Sequence, residues 1–269
     1  MSKTTSGPIR IGVGGWTFEP WRGNFYPKGL PQKEELSYAS RHLTSIEING
    51  TFYGSQKPES FQKWHDETPD GFVFALKAPR FATNRRKLAE AGESVDRFFK
   101  SGVLRLADKL GPINWQFATS KAFDPEDFEA FLKLLPSSVE GREIMHAVEV
   151  RHDSFRVPDF IALLRAYGVA AIVAGDSEYT QIADVTAPFV YARIMGTSAK
   201  AKAGYTPREL DAWAARAKAW AKGKAPDDLE TVGEGNAPAA TSRPVFLYVI
   251  SGHKELNPAA ARALIDRVG

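Results

Sequence analysis

The feature that most constrains this chain is an alternation. Eight short, strand-length runs rich in Val, Ile, Phe and Ala recur along it: "IRIGV" from Ile9, "SIEIN" from Ser45, "FVFAL" from Phe72, "INWQF" from Ile113, "HAVEV" from His146, "AAIVA" from Ala170, "FVYARI" from Phe189 and "VFLYVI" from Val245. Several are continuously apolar, as parallel strands buried on both faces must be. Helical patterns lie between them, some with readable starts: Asp124 before Pro125 and Asp127, Thr206 before Pro207 and Glu209, and Asn257 before Pro258. Each offers a side-chain acceptor for orphan amides followed by a preset φ. Gly168 stands where the helix "FIALLRAY" should stop.

Eight strands, each followed by a helix, close a (β/α)8 barrel of the TIM type, an α/β fold, and 269 residues suit one such domain spanning 1–269. An open doubly wound sheet usually needs fewer strands and a glycine-rich phosphate fingerprint. "GVGGW" lacks that spacing and runs on into Thr17 and Phe18 rather than a helix. No internal repeat is visible. The one shift in composition, residues 222–244, is rich in Gly, Pro, Ala and charge, and reads as a long mobile loop at the bottom of the barrel.

Bulk properties exclude several classes. With no Cys there is no disulfide, thiolate metal site or cysteine nucleophile, which fits a reducing compartment. The start "MSKTTSGPIRIG" has no apolar core for a signal peptide, and the longest apolar runs, such as "GVAAIVAG", fall far short of a membrane span. A cytoplasmic protein with no membrane partner is expected. A net charge of +3 is too weak by itself to argue for nucleic acid.

In such barrels function sits at the carboxyl ends of the strands. Polar residues collect there. By the two-residue period Glu47 and Asn49 share a face, as do Glu149 and Arg151, and Tyr191 and Arg193. Lys77 and Gln116 end the third and fourth strands, His152 follows the fifth, and Asp176 follows the sixth. A carboxylate inside a strand is costly unless paired, and Lys77, Arg151 and Arg193 are candidate partners for Glu47 and Glu149. One reading is a charged layer that merely closes the barrel. The other is an anion or polyol site with a carboxylate as base. Basic loops surround it, with Arg80, Arg85, Arg86 and Lys87 after the third strand and Lys200 and Lys202 after the seventh. Aromatics join them, among them Trp16, Phe52 and Tyr53, and such forks and platforms suit phosphates, sugars and bases. Metal chemistry is disfavoured: only His152 and His253 fall at strand ends, and the neighbouring Arg and Lys repel a cation. No nucleophile elbow supports a Ser-His-Asp triad.

The segments "IRIGVGGWTFEPWRGNFYPKGLP", "SIEINGTFY", "FALKAPR", "AVEVRH", "FVYARIMG" and "YTPRELDAWA" resemble, in order and along nearly the whole chain, the YecE-like domain-of-unknown-function family, DUF72. The resemblance implies a TIM-barrel-like fold distantly similar to the endonuclease IV and xylose isomerase barrels. It implies no settled activity, and the nucleic-acid role suggested for the family is an analogy of fold. Three segments depart from the family's pattern: Asn84 stands where a His is frequent, "FATSKAF" where a "QLPP"-like turn is usual, and Ser251 to Lys254 where paired Asn residues are frequent. The family's last-strand contacts are therefore not carried over.

The expectation is an upper-end pocket for a small anionic ligand, sugar-phosphate- or nucleotide-like, with no cofactor and no metal. Glu47, Glu149 and Lys77 are its candidate catalytic groups. Trp16, Asn49, Tyr53, Arg80, Gln116, Arg151, His152, Tyr191 and Arg193 are its candidate binding groups. The alternatives are a nucleic-acid-binding protein, with aromatics stacking bases and basic loops tracking phosphates, and a non-catalytic scaffold. Substrate, reaction and oligomeric state are left open.

Overall fold

The structure, a computed structural model, describes residues 6–233, 238–239 and 242–269. All eight expected strands form: β1 (Ile9–Gly14), β2 (Ser45–Ile48), β3 (Val73–Lys77), β4 (Leu110–Gln116), β5 (His146–Glu149), β6 (Ala170–Gly175), β7 (Val190–Ile194) and β8 (Val245–Val249). They pair in parallel in chain order, and β8 returns to β1 with Val245 opposite Ile9, closing the barrel. Parallel neighbours need crossovers, and these supply the outer helices.

The pleat sorts the side chains into two cores. Outward residues such as Ile46, Ile48, Leu76, Trp115 and Val148 pack under the helices. Inward residues, among them Ala75, Ala147, Ile172, Phe189, Tyr191, Phe246 and Tyr248, fill the barrel. Gly12 is needed at close quarters: a Cβ there would lie 1.8 Å from the backbone oxygen of Ser45.

The main outer helices are α1 (Glu35–Ala39), α2 (Pro58–Asp66), α3 (Gly92–Lys100), α4 (Pro125–Leu134), α5 (Pro158–Tyr167), α6 (Pro207–Ala221) and α7 (Asn257–Val268). Asp124 caps α4 by accepting from the amides of Glu126 and Asp127, both at 3.1 Å. Thr206 and Glu209 form a reciprocal capping box on α6. Gly168 ends α5 at φ +64°, the left-handed conformation glycine adopts without penalty. Asn257 does not cap α7. It lies inside the helix, buried, and its Oδ1 accepts from Thr197 Oγ1 at 2.7 Å, so the amide ties the loop after β7 to the helix instead.

One expected helix is missing. Residues 176–189, between β6 and β7, form no helix. A strap from further along the chain is bonded to this connection. Asp184 accepts from the amides of Val232 (2.7 Å) and Gly233 (2.9 Å), and Ala183 donates to the carbonyl of Glu230. Gly233 also lies against Ile161 of α5. The early part of the 222–244 stretch is thus bonded to this connection, while residues 234–237 and 240–241 lie outside the described residues. Among the described residues no helix is long and apolar enough to cross a membrane.

Candidate site at the strand carboxyl ends

Glu47 on β2 and Glu149 on β5 are both fully buried, and one guanidinium bridges them. Arg193, from β7, donates through Nη2 to Glu47 Oε1 at 3.1 Å and through Nη1 to Glu149 Oε2. The other oxygen of Glu149 receives both Nε (2.7 Å) and Nη2 (2.6 Å) of Arg151. The other oxygen of Glu47 receives the Tyr191 hydroxyl at 2.5 Å and Asn114 Nδ2 at 3.3 Å. Each carboxylate is therefore met on both oxygens, which is how buried charge survives. Arg151 does not reach Glu47; the tyrosine ring of Tyr179 covers its guanidinium at 4.0 Å.

The electrostatics follow from this wiring. Burial alone would raise the pKa of Glu149, but Arg193 and Arg151 outweigh it and hold the carboxyl below its usual range. Burial works against the charged form of Arg193, and Glu149 and Glu47 overcome it, keeping the guanidinium protonated. Tyr191 is pushed well up by burial and by the adjacent Glu47, so it stays a donor.

Lys77, the last residue of β3, is the exception. It is 6% exposed, and among the described residues its Nζ takes no hydrogen-bond or ion-pair partner, lying instead 4.0 Å from the centre of the Phe52 ring. Burial lowers its pKa, Arg193 adds to that, and Glu47 opposes it; the result is about 8. In this cluster three buried polar atoms lack a partner among the described residues: Asn114 Oδ1, Gln116 Oε1 and Arg193 Nε. With all five groups ionised, Lys77, Arg151 and Arg193 exceed Glu47 and Glu149 by one positive charge. Among the described residues no group of three or more His, Asp or Glu is placed to hold a metal.

The remaining expected site residues are distributed around this cluster. Asn49 follows β2, packed where a Cβ on Gly14 would come 2.6 Å from its Nδ2. Together with Trp16, Tyr53 and Lys254 it lines a cavity of about 370 Å³ over the ends of β1 and β2. Trp16 is half core, its ring edge-on to Trp64 at 5.3 Å. Tyr53 is 65% exposed at the rim. Arg80 is exposed and lies 5.5 Å from the Phe81 ring. His152 turns to its own neighbour: its Nδ1 meets Ser154 Oγ at 2.8 Å, and no bond joins it to the Glu–Arg cluster. Sequence reasoning missed Asn114, whose side chain is the fourth strand's contribution to Glu47. The signal was present, since Asn114 lies two residues before Gln116 and so shares its face.

These features define a TIM-barrel-like protein whose upper end carries a buried, cation-rich cluster. A sequence profile described as "Protein of unknown function DUF72" matches residues 10–269, and the chain belongs to that family. UPF0759 protein YecE of Escherichia coli (strain K12) is 31% identical over 147 residues, 55% of this chain and 50% of YecE. UPF0759 protein YunF of Bacillus subtilis (strain 168) is 27% identical over 114 residues, 40% of this chain and 39% of YunF. The matches thus span half or less of these curated relatives. The crystal structure of a DUF72 family protein (TM1631) from Thermotoga maritima MSB8 superposes with a TM-score of 0.71 at 20% identity, covering 96% of this chain and 97% of that one. A xylose isomerase-like TIM barrel/4-hydroxyphenylpyruvate dioxygenase fusion protein superposes at 0.53 and 12% identity, covering 97% of this chain and 43% of that one. At such identities the likeness is one of fold.

Proposed function

We propose that the upper end of the barrel binds a small anionic ligand that also carries hydroxyl groups, of the sugar-phosphate or nucleotide kind. The observation that carries this reading is the unmet hydrogen-bonding capacity of a cluster with surplus positive charge. Arg193 Nε is a buried donor without an acceptor, Asn114 Oδ1 and Gln116 Oε1 are buried acceptors without donors, and Lys77 Nζ has no hydrogen-bond or ion-pair partner among the described residues. A buried polar atom left unmet costs about 1–3 kcal/mol, so a ligand offering both anionic oxygens and hydroxyls recovers several such costs at once. In this reading Lys77 and Arg151 face the anion, Asn114 and Gln116 take hydroxyls, and Glu47 and Glu149 hold the arginines in place. Asn49, Trp16, Tyr53, His152 and Arg80 border the approach.

Thermal melting against orthophosphate, phosphosugars and nucleotides, each at low and high salt, tests it. A ligand at ~100 times its dissociation constant adds about 2.7 kcal/mol. The expected result is a salt-tolerant rise in Tm that Lys77→Met abolishes. A panel without any such rise overturns the reading.

A second reading has its own support. Tyr53 and Phe81, 65% and 61% exposed, are the two large hydrophobic side chains most open to solvent among the described residues; Phe81 lies within the basic third-strand loop and Tyr53 on the rim over β1 and β2. Arg85 is engaged with the Phe81 carbonyl and Ser94, but Arg80, Arg86 and Lys87 are exposed. Exposed rings beside free cations suit single-stranded nucleic acid. That reading calls for binding that weakens steeply with salt and is lost when Arg80, Arg86 and Lys87 are replaced together by Ala.

A further inference from the structure

Among the described residues two lysines are buried, and they are treated in opposite ways. Lys109, 3% exposed, donates at 2.6 Å to the carbonyls of both His65 and Thr68. It is a structural ammonium with its protons accounted for. Lys77, 6% exposed, donates to no protein group among the described residues. The carboxylates near it, Glu47 and Glu149, are already claimed by Arg193 and Arg151, which themselves repel a third cation. The Phe52 ring shields one side of the nitrogen. An ammonium held out of water without a hydrogen-bond acceptor gives up its proton readily, and a neutral amine is a nucleophile.

We infer that Lys77 is a nucleophilic amine that forms an imine with a carbonyl compound bearing an anionic group, an α-keto acid or a sugar phosphate in its open form. The inference rests on the anion-site reading above and adds a covalent step to it. The Nζ lone pair attacks the carbonyl carbon, a C–N bond forms, and the carbonyl π pair moves to oxygen, which takes up the proton released from nitrogen. The carbinolamine takes back from solvent the proton that the ammonium had released, its hydroxyl leaves as water, and the nitrogen lone pair closes the C=N bond of a protonated imine. Ammonium and carbonyl become protonated imine and water, with no oxidant or reductant. Arg151, whose side chain is 18% exposed, is the group placed to meet the anion. The protonated imine that results keeps the positive charge opposite Glu47 and Glu149. The lowering of the Lys77 pKa to about 8 agrees with this geometry.

The test is reductive trapping. The full chain is incubated at pH 7 with glyoxylate, pyruvate or dihydroxyacetone phosphate, each with cyanoborohydride, and the modified lysines are mapped by peptide mass spectrometry. The neutral fraction at pH 7 favours Lys77 over an ordinary lysine by on the order of 100-fold. At least one probe should therefore label Lys77 far faster than exposed lysines such as Lys87, and Lys77→Met should lose the fast label alone. Labelling spread over surface lysines, with Lys77 no faster than they are, overturns the inference. Glycerol 3-phosphate and lactate, which lack the carbonyl, separate the two claims in melting experiments. If they raise Tm while Lys77 remains unlabelled, the anion site stands and the imine falls. If nothing raises Tm and nothing labels Lys77, both fall.

Discussion

The two ends of the barrel interior are built from opposite materials along the same strands. At the lower end Phe189 and Phe246 meet edge to face, ring centres 6.1 Å apart, with Ala170 and Ile172 beside them. Two residues further up β7 and β8, Tyr191 and Tyr248 pack at 5.1 Å and turn their hydroxyls to Glu47 and Ser45. One more step up β7 is Arg193, inside the Glu–Arg cluster. The lower layer stabilises simply by removing apolar area from water, about 25 cal/mol per Å². The upper layer does not gain by that rule, since a buried ion network is often no more stable than apolar residues of the same volume. Burial of apolar area therefore accounts for the lower end, whereas the upper end keeps the unpartnered donors and acceptors that the proposed ligand would meet.

Removing one member from each end separates the two kinds of layer. Arg193→Met leaves two buried carboxylates short of a partner and should cost about 3–5 kcal/mol. Phe246→Ala opens a cavity and should cost a similar ~3–5 kcal/mol. The difference lies in pH. Acid protonates the stranded carboxyls and relieves part of the Arg193→Met defect, while the Phe246→Ala defect stays constant. Urea unfolding of both variants at pH 5 and pH 7.5 reads this out, and equal pH dependence would mean that the upper cluster behaves as ordinary packing.

The ends also differ in which side of neutrality they sense. Lys77 has a folded pKa near 8 against 10.5 unfolded, so between those values the unfolded chain binds more protons. The penalty for burying the ammonium is full below pH 8 and fades above it, so stability should rise by roughly 2–3 kcal/mol between pH 8 and 10. Above pH 10 the buried tyrosines reverse the trend, because their raised pKa values favour folding only while the unfolded phenols remain protonated. Lys77→Met should flatten the rise. At the lower end His146, at the start of β5, is held neutral: Trp115 Nε1 donates to its Nδ1 at 3.0 Å, its Nε2 meets the Pro136 carbonyl at 2.8 Å, and burial lowers its pKa to about 4. The unfolded imidazole takes a proton below 6.5, so stability should fall by roughly 2 kcal/mol from pH 6.5 to 4.5. Glutamine can keep one donor and one acceptor, and His146→Gln should remove that slope. Denaturation midpoints across pH 4.5–10 test both limbs.

The legible parts of this architecture are those that depend on local pattern. Short apolar runs, several of them continuous, marked all eight strands, and the two-residue period brought Glu47, Glu149, Arg151, Tyr191 and Arg193 to one end. What pairs with what depends on barrel closure, which no local pattern encodes. That Arg193 bridges both carboxylates, while Arg151 serves only Glu149, follows from the places of β2, β5 and β7 around the ring. Asn114, between the apolar Ile113 and Trp115, was legible only through the face it shares with Gln116. Asn257 looked like a helix cap until tertiary structure gave its oxygen to Thr197. The absent helix between β6 and β7 and the strap on Asp184 are long-range events, invisible to periodicity.

The smallest effect, and the finest test of the comparison, lies at the seam between the two layers. Tyr191 and Tyr248 are both fully buried and packed on each other, but Tyr191 donates to a carboxylate and Tyr248 shares a hydrogen bond with a neutral hydroxyl. A bond to a charged acceptor contributes about 1.5–3 kcal/mol and a neutral one about 1. Tyr191→Phe should thus cost about 2 kcal/mol and Tyr248→Phe about 1, with little change in packing because each ring remains. Tyr191→Phe should also weaken phosphosugar binding, since Glu47 would then lean more heavily on Arg193 and Asn114, whereas Tyr248→Phe should leave binding as it was. If both variants changed binding equally, the boundary between a structural lower end and a functional upper end would have to be drawn one layer further down the barrel.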